Sequence, residues 1–328
     1  MGRGGVRCAL ALGAGGARGY AHIGVIQALE ERDFEIVNIA GSSMGALVGG
    51  LYAAGKLDAY TDWVTTLSQL DVLRLLDVSL TKPGMIRAEK VFARMRDLLA
   101  GVQIEDLAIP FTAVATDLLA GKAIWFQRGP VETAVRASIA MPGVFTPLML
   151  NGRVLVDGGL TDPVPVAATA AAHAEVTIAV DLGGDRAVSP DGAPARETAE
   201  ARPIEEWAER FRHGAANVFD RDLVRSLLNR MGGQSSSDHD GPDAPAPEEP
   251  EAWPSGLGRF DVMNQSLEAM QHLLTRYRLA GDQPDVLITV PKDACRALDF
   301  HRASDMIALG RELTFAALDR ETPTSSAS

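Results

Sequence analysis

The apolar positions of residues 1–185 form short unbroken runs that alternate with longer stretches in which they recur at helical spacing. The unbroken runs predict strands at Val6–Leu12, Glu35–Ala40, Phe111–Thr116, Ala123–Phe126, Val154–Val156 and Val176–Val180. The helical spacing predicts helices at Arg18–Glu31, Met44–Gly55, Leu57–Leu76, Ile86–Leu99 and Pro130–Ile139. Strands that alternate with helices in this way predict an α/β fold with a mainly parallel central sheet.

The pattern changes in residues 186–260, which we predict to be a variable insertion. A helix is expected at 204–231, and the acidic, proline-rich stretch 232–258 is expected to be disordered because it has no regular apolar period. Strand and helix patterns return in residues 261–328, which we expect to complete the domain begun by residues 1–185. The elements predicted there are the helix Val262–Leu279, the strand Val286–Val290 and the helix Ala303–Leu318.

Charge and cysteine content exclude several classes of protein. The chain has 31 Lys plus Arg against 43 Asp plus Glu, a net charge of −12, which argues against a nucleic-acid-binding protein. Half of this excess lies in residues 232–258, which contain no Lys or Arg. The two cysteines, Cys8 and Cys295, are far apart and predict neither a disulfide scaffold nor a metal site.

The sequence predicts a soluble, cytoplasmic protein. Arg3 and Arg7 precede an apolar run that ends at Leu12, shorter than the roughly 7–15 residues of a signal-peptide core. The apolar run Met44–Gly55 is too short to span a membrane. Residues 204–231 combine three aromatic residues with several arginines, so this helix is expected either to pack on the main body of the protein or to contact the membrane surface peripherally.

The segment Gly41-Ser42-Ser43-Met44-Gly45 fits the pattern G-x-S-x-G between a predicted strand and a predicted helix. A nucleophile elbow requires this strand–turn–helix context, in which the flanking glycines Gly41 and Gly45 leave room for a sharp turn. Ser43 is therefore a candidate nucleophile at a helix N-terminus, where the helix dipole favours negative charge. The alternative is that Ser43 only caps the helix.

The glycine-rich segment from Gly13 to Gly19 joins the first predicted strand to the first predicted helix and has three interpretations. A dinucleotide-binding fingerprint is one, but Arg18 stands where its third glycine should be. A plain tight turn is the second. The third is an oxyanion hole, in which small residues expose backbone N–H groups and Arg18 adds positive charge.

A general base is needed to activate a serine nucleophile. None of the six histidines follows a predicted strand in a turn, the place where an α/β-hydrolase presents its histidine. Asp157, in contrast, directly ends a predicted strand and is followed by Gly158 and Gly159. Open α/β sheets bind ligands at the carboxyl ends of their strands, so Asp157 is the candidate base. An Asp-Gly turn without a catalytic role is the alternative.

Three motifs, in this order, resemble the patatin-like phospholipases: the segment Leu10–Val25, the Gly41–Gly45 elbow and the Asp157–Gly159 turn. Further similarity lies in Ala115–Leu118, Arg136–Phe145 and Asp299–Ala303. The resemblance covers nearly the whole chain outside residues 186–260, and it is nearest to the bacterial RssA-type branch.

This resemblance implies a patatin-like three-layer α/β/α fold with Ser43 as nucleophile, Asp157 as proton acceptor and no histidine. It implies an oxyanion hole formed by Ala14, Gly15 and Gly16 with Arg18 beside it, and it implies no cofactor. Two positions depart from the family pattern: Ala14 replaces a usual glycine, and Asp162 stands where many relatives have Asn.

The function expected from the residues and the resemblance together is that of a serine acyl hydrolase. A Ser43–Asp157 dyad would cleave fatty acyl ester bonds of phospholipids or other lipids through an acyl-enzyme. Two other functions stay open at this point. The chain could be a non-catalytic regulator or scaffold with the same fold, or a nucleotide-binding oxidoreductase that uses the Gly13–Gly19 loop.

Overall fold

A computed structural model describes residues 5–75, 89–99, 101–185 and 259–321. The strands in this part of the chain are β1 (Val6–Leu12), β2 (Phe34–Ser42), β3 (Phe111–Asp117), β4 (Lys122–Phe126), β5 (Leu148–Leu150), β6 (Arg153–Asp157), β7 (Val176–Gly184) and β8 (Val286–Pro291). The α-helices are α1 (Ala21–Glu31), α2 (Met44–Ala53), α3 (Leu57–Thr65), α4 (Gln69–Leu75), α5 (Glu89–Leu99), α6 (Val131–Ser138), α7 (Arg259–Gly281) and α8 (Ala303–Glu321).

The strands form one sheet in the order β5-β6-β3-β2-β1-β7-β8, and β4 pairs with β3. Five of them, β3, β2, β1, β7 and β8, run parallel to one another, whereas β4, β5 and β6 are antiparallel to their neighbours. Helices flank this sheet, so the expected three-layer α/β/α fold with a mainly parallel sheet is confirmed.

The strands β2 and β6 share one edge of β3 and meet end to end. Ser42, the last residue of β2, pairs with Val114, and Asp157, the last residue of β6, pairs with the next residue, Ala115. Because β6 runs opposite to β2, the carboxyl ends of both strands face each other at this point. The pairing therefore places whatever follows Ser42 next to Asp157.

The glycine-rich helix α2 packs closely against the sheet. A Cβ atom at Gly45 would lie 2.1 Å from the carbonyl oxygen of Leu12, and one at Gly49 would lie 2.7 Å from the Ile39 side chain. Each of these glycines costs up to about 1 kcal/mol of helix stability relative to Ala. The close packing explains why the helix keeps them.

The structure differs from the predicted elements in three places. The helix predicted from Arg18 begins as a 3-10 turn at Gly16–Tyr20, and only α1 continues it. The helix predicted over Leu57–Leu76 is divided into α3 and α4, because Ser68 and Asp71 exchange hydrogen bonds that cap the start of α4. The three-residue strand β5 was missed, since so short a run carries no period.

Several predictions fall outside the described residues. These are the helix expected at 204–231, the disorder expected at 232–258 and the first residues, 86–88, of the helix predicted up to Leu99. Within the part of the chain that the structure describes, no helix has both the length and the apolar character needed to cross a membrane.

Candidate active site

The candidate nucleophile Ser43 lies in a sharp turn between β2 and α2. Its backbone has φ 54° and ψ −120°, a conformation that a residue with a side chain rarely adopts. The turn brings chain segments into close contact, since a Cβ at Gly41 would lie 2.4 Å from the backbone of Gly45. The two flanking glycines are thus required by space, as the elbow interpretation expects.

Two serines that the sequence analysis did not single out hold this turn in place. The amide of Ser43 donates to Oγ of Ser138 at 2.8 Å, and that hydroxyl donates to the carbonyl oxygen of Val114 at 2.5 Å. The hydroxyl of Ser42 donates to the carbonyl oxygen of Asp162 at 2.5 Å. Ser138 lies within the family-like segment Arg136–Phe145, but its role could not be predicted from the sequence, because its partners lie in the elbow turn and on β3.

The structure brings Ser43 and Asp157 together. The Ser43 hydroxyl donates to Oδ2 of Asp157 at 2.6 Å, and Oδ1 of the same carboxylate accepts the amide of Gly159 at 2.8 Å. A Cβ at Gly158 would lie 2.1 Å from the carbonyl oxygen of Val114. Both glycines after Asp157 therefore serve its placement, one by donating and the other by allowing close approach to β3.

Burial makes Asp157 a stronger base than an exposed aspartate. The residue is 1% exposed, and desolvation raises its pKa from 3.8 to about 6, against the opposing effect of the hydrogen bonds from Ser43 and Gly159. A pKa closer to neutral suits a general base that must take up and return a proton.

One of the three amides that the family resemblance assigns to the oxyanion hole, that of Ala14, already has a hydrogen-bond acceptor. The Ala14 amide donates to the carbonyl oxygen of Pro163 at 2.8 Å and is thus already engaged. Among the described residues, the amides of Gly15 and Gly16 have no acceptor. These two amides are the remaining candidates for oxyanion donors.

Close contacts place the glycine loop beside the elbow. A Cβ at Gly19 would lie 2.3 Å from Cβ of Met44, the residue after Ser43. Gly16 has φ 57°, and a Cβ there would lie 2.4 Å from the carbonyl oxygen of Ala297. The amide of Gly13 donates to the carbonyl oxygen of Val180 on β7 at 3.0 Å. The loop is held from three sides, so its amides have a defined direction.

Arg18 is bound to structural partners. Its guanidinium donates to the carbonyl oxygen of Lys292 at 2.7 Å and forms an ion pair with Glu268 on α7 at 3.1 Å. Neither contact involves Ser43 or Asp157. The observed partners give Arg18 a role in anchoring the loop, and its predicted share in an oxyanion hole stays a prediction.

The buried histidine His22 also supports the glycine loop. Its Nε2 atom lies 2.8 Å from the carbonyl oxygen of Gly13, and burial lowers the pKa of the imidazole to about 4. The ring is therefore neutral near pH 7 and donates its hydrogen to Gly13. The contacts of His22 in the described residues do not include Ser43 or Asp157.

An apolar cavity that is partly open to solvent lies beside Ser43 and Gly16. One wall comes from Trp63 and Leu67 at the end of α3 and from Val72 on α4. The loop after α6 and residues 297–300 supply much of the remaining wall. A concave site lined mainly by apolar side chains, with few polar groups, is typical of a small-molecule binding site.

Asp162, the second departure from the family pattern, is buried next to the site. It is 2% exposed, and its Oδ2 atom has no hydrogen-bond partner in the described residues. Desolvation raises its pKa to about 6, although the charge of Arg278 acts in the opposite direction. Its backbone carbonyl accepts the Ser42 hydroxyl, so its main chain supports the elbow.

Comparison with known proteins gives consistent similarities. Residues 10–170 match the family model described as patatin-like phospholipase. An uncharacterized NTE family protein of Mycobacterium tuberculosis is 49% identical over 335 residues, covering 95% of this chain and 91% of that protein. Patatin-like phospholipase domain-containing protein 6 of Homo sapiens is 32% identical over 182 residues, covering 53% of this chain and 13% of that protein.

Two further similarities are more distant or cover less of the other protein. Lysophospholipase NTE1 of Mycosarcoma maydis is 35% identical over 194 residues, covering 57% of this chain and 10% of that protein. The crystal structure of VipD from Legionella pneumophila has a TM-score of 0.41 and 15% sequence identity, covering 97% of this chain and 67% of that one. The assignment of this chain to the RssA-type branch in particular stays a prediction.

Proposed function

This chain belongs to the patatin-like phospholipase family, and from that premise we propose that it hydrolyses fatty acyl esters of lipids through Ser43 and Asp157. The observation that carries the proposal is the 2.6 Å hydrogen bond from the Ser43 hydroxyl to the Asp157 carboxylate, with Ser43 in the wall of an apolar cavity. A buried carboxylate with a raised pKa next to a serine in an elbow is equipped for acyl transfer.

In the first half of the reaction, Asp157 takes the Ser43 proton while Oγ attacks the carbonyl carbon of the acyl ester. The tetrahedral intermediate then collapses, the bond to the leaving alcohol breaks, and Asp157 returns the proton to the alcohol oxygen. The fatty acyl group remains on Ser43 as an ester.

In the second half, Asp157 takes a proton from water as the water oxygen attacks the acyl-enzyme. The bond between the acyl carbon and Oγ breaks, the fatty acid leaves, and the proton returns to Ser43. Both halves need only one group to accept and return a proton. This requirement agrees with a site in which the Asp157 carboxylate accepts a hydrogen bond directly from the Ser43 hydroxyl, with no histidine between them.

The amides of Gly15 and Gly16 are the proposed donors to the oxyanion. Both belong to the loop held against Met44, and Gly16 shares the cavity with Ser43. Removing one such donor typically costs about 2.7–4 kcal/mol of transition-state stabilisation. Ala14 does not belong to this proposal, because its amide is used by Pro163.

The walls of the cavity favour an aliphatic acyl chain as the group that enters it. The lining consists mainly of aliphatic and aromatic side chains, including Leu47, Leu67, Val72, Ile139 and Phe145. Burial of apolar surface is worth about 25 cal/mol per Å², so a longer chain binds more tightly until the cavity is filled. We therefore propose lipid esters as the substrate class.

The test is labelling and turnover of the full chain. A fluorophosphonate probe should label wild-type protein, and mass spectrometry should place the adduct on Ser43. Ser43→Ala and Asp157→Asn should abolish hydrolysis of p-nitrophenyl esters and of phospholipids, while circular dichroism shows an intact fold. Near-wild-type turnover by either variant would contradict the dyad, and absence of any turnover by wild type would favour the scaffold alternative.

A further inference from the structure

The buried threonine Thr116 lies on β3, within the family-like segment Ala115–Leu118, and takes no part in the proton transfers of the proposed reaction. Its side chain is 3% exposed. Its hydroxyl donates to the carbonyl oxygen of Asp157 at 2.8 Å. A side chain of one strand thus bonds to the main chain of the proposed base at the end of another strand.

The Thr116 hydroxyl also joins a second hydroxyl, that of Thr161. The two Oγ1 atoms lie 2.9 Å apart. Because Thr116 gives its one hydroxyl hydrogen to Asp157, the Thr161 hydroxyl is the donor of this second bond. The carbonyl oxygen of Thr161 accepts the Arg278 guanidinium of α7 at 3.0 Å. The turn after β6 is therefore held both at Asp157 and at Thr161.

The amide of Gly159 lies between these two points of the turn. It donates to Oδ1 of Asp157 at 2.8 Å, while Oδ2 accepts the Ser43 hydroxyl at 2.6 Å. A Cβ at Gly159 would lie 2.7 Å from Cβ of Ala14, so the turn also abuts the glycine loop. The turn fixes one oxygen of the carboxylate, which leaves the other oxygen directed at Ser43.

We propose that Thr116 is a positioning residue for ester hydrolysis. Its hydroxyl fixes the turn after β6, and the Gly159 amide in that turn then directs the Asp157 carboxylate at Ser43. The hydrogen bonds of Thr116 go to the main chain of Asp157 and to Thr161, not to the carboxylate. The inference rests on the proposed function, since it assigns a part in the reaction of the Ser43–Asp157 dyad.

The alternative is that Thr116 only fastens β6 to β3. Both interpretations expect a loss of stability when the hydroxyl is removed, but only positioning expects the carboxylate to change its orientation. A misplacement on the order of 1 Å can reduce a rate by about 10²-fold. A carboxylate that loses the Gly159 hydrogen bond also loses an interaction that favours its charged form, so its pKa should rise.

The first experiment measures hydrolysis of a p-nitrophenyl ester by the full chain carrying Thr116→Val, which removes the hydroxyl and keeps a branched side chain. We expect kcat to fall about 10- to 100-fold. KM should stay nearly unchanged, because the cavity lining formed by the described residues does not include Thr116. Thr116→Ser keeps the hydroxyl and should restore most of the lost rate.

The matched control is Thr112→Val. Thr112 lies on the same strand, is also 3% exposed, and has a hydroxyl that accepts a hydrogen bond from the Gln127 side chain at 3.2 Å. This variant should lose stability and keep its kcat. Urea unfolding of both valine variants gives their losses of stability, so that a difference in kcat between them can be assigned to the site.

Thr161→Val is a second variant of the same hydroxyl pair, at a position that is only half-buried. It removes the donor to Thr116 and leaves the bond from Thr116 to Asp157. Its kcat should therefore fall less than that of Thr116→Val, and its Asp157 pKa should change in the same direction. This variant decides the matter if Thr116→Val does not fold.

The second experiment does not depend on turnover. Carbon NMR titration of the aspartate carboxyl groups follows Asp157, whose signal is assigned from its loss in Asp157→Asn. The titrations use the Asp162→Asn background, because the pKa of Asp162 is also raised to about 6. The pKa of Asp157 should be higher in Thr116→Val than in the parent protein, and it should be unchanged in Thr112→Val.

The proposal is overturned if Thr116→Val has the same kcat as Thr112→Val, or if Thr116→Ser is as slow as Thr116→Val. An Asp157 pKa that is unchanged or lower in Thr116→Val overturns it as well. Failure of the proposed function itself looks different: the wild type would then be no more active than Ser43→Ala. The titration would still decide whether Thr116 orients the carboxylate.

Discussion

The hydroxyl of Ser138 holds the backbone amide of Ser43 at 2.8 Å, although 95 positions separate the two residues in the chain. Ser138 ends α6, and its hydroxyl also donates to Val114 on β3. A backbone conformation as rare as that of Ser43 costs on the order of 1–3 kcal/mol and persists only when its surroundings hold it. Ser138 is therefore part of the support that keeps the elbow in shape.

Replacing Ser138 by Ala should lower both stability and activity. The change leaves the buried Ser43 amide without an acceptor, which we expect to lower the free energy of unfolding by about 1–3 kcal/mol. A small displacement of Oγ should reduce kcat/KM by roughly 10- to 100-fold. Urea unfolding and ester hydrolysis measure the two effects.

The control for this prediction is Ser266→Ala, which removes an exposed hydroxyl that donates to the carbonyl oxygen of Val262 within α7. Ser266→Ala should change neither the free energy of unfolding nor kcat/KM appreciably. If Ser138→Ala behaves like Ser266→Ala, then Ser138 does not support the elbow.

The rate of ester hydrolysis should follow the ionisation of Asp157. The base must be deprotonated to accept the Ser43 proton, and its pKa is raised to about 6 by burial. We expect kcat/KM to rise about tenfold per pH unit below that value and to level off above it. A profile of kcat/KM against pH measures this. A midpoint near pH 4 would show that the catalytic carboxylate is not the buried one.

Replacing Gly16 by Ala should reduce kcat for ester hydrolysis by much more than the strain of placing Ala at a positive φ would do alone. Gly16 has φ 57°, and the new Cβ would lie 2.4 Å from the carbonyl oxygen of Ala297, so the loop must shift. We expect kcat to fall about 10²- to 10³-fold, as for the loss of an oxyanion donor. Steady-state kinetics with a p-nitrophenyl ester provide the measurement.

Gly121→Ala is the matched control. Gly121 has a similar φ of 62°, but no atom lies within 4 Å of its added Cβ. This variant carries the backbone strain without the steric contact, so its kcat should stay near that of wild type. Equal losses in both variants would contradict the role of the Gly16 amide.

Replacing Asp162 by Asn should stabilise the protein at high pH and leave hydrolysis intact. Burial raises the pKa of Asp162 from 3.8 to about 6, so the folded state binds this proton more tightly than the unfolded state. The resulting stabilisation is complete below about pH 4 and is lost as the pH rises through about 6.

Asn carries no charge at either pH, so the variant should gain up to about 3 kcal/mol over wild type at pH 8 and much less at pH 4. Urea unfolding at the two pH values tests this difference. If the gain in the free energy of unfolding is the same at pH 4 and pH 8, then the carboxylate charge of Asp162 does not destabilise the folded state.

The local features of this protein could be predicted from its sequence. Apolar runs and helical spacing located β1, β2, α2 and α6 to within a few residues, because those periods arise from the geometry of the single element. The glycines at 41 and 45 identified the elbow, since a sharp turn requires them wherever it occurs. The candidate pair Ser43 and Asp157 came from such local signals and from the family resemblance.

The tertiary structure decided which groups meet. The pairing of both β2 and β6 with β3 brings Asp157 to Ser43, the amide of Ala14 is used by Pro163, and Arg18 turns to Glu268. No periodicity specifies these contacts, because each depends on the register between strands and on segments far apart in the chain. Sequence patterns report what one element does alone, whereas register is a property of at least two elements packed together.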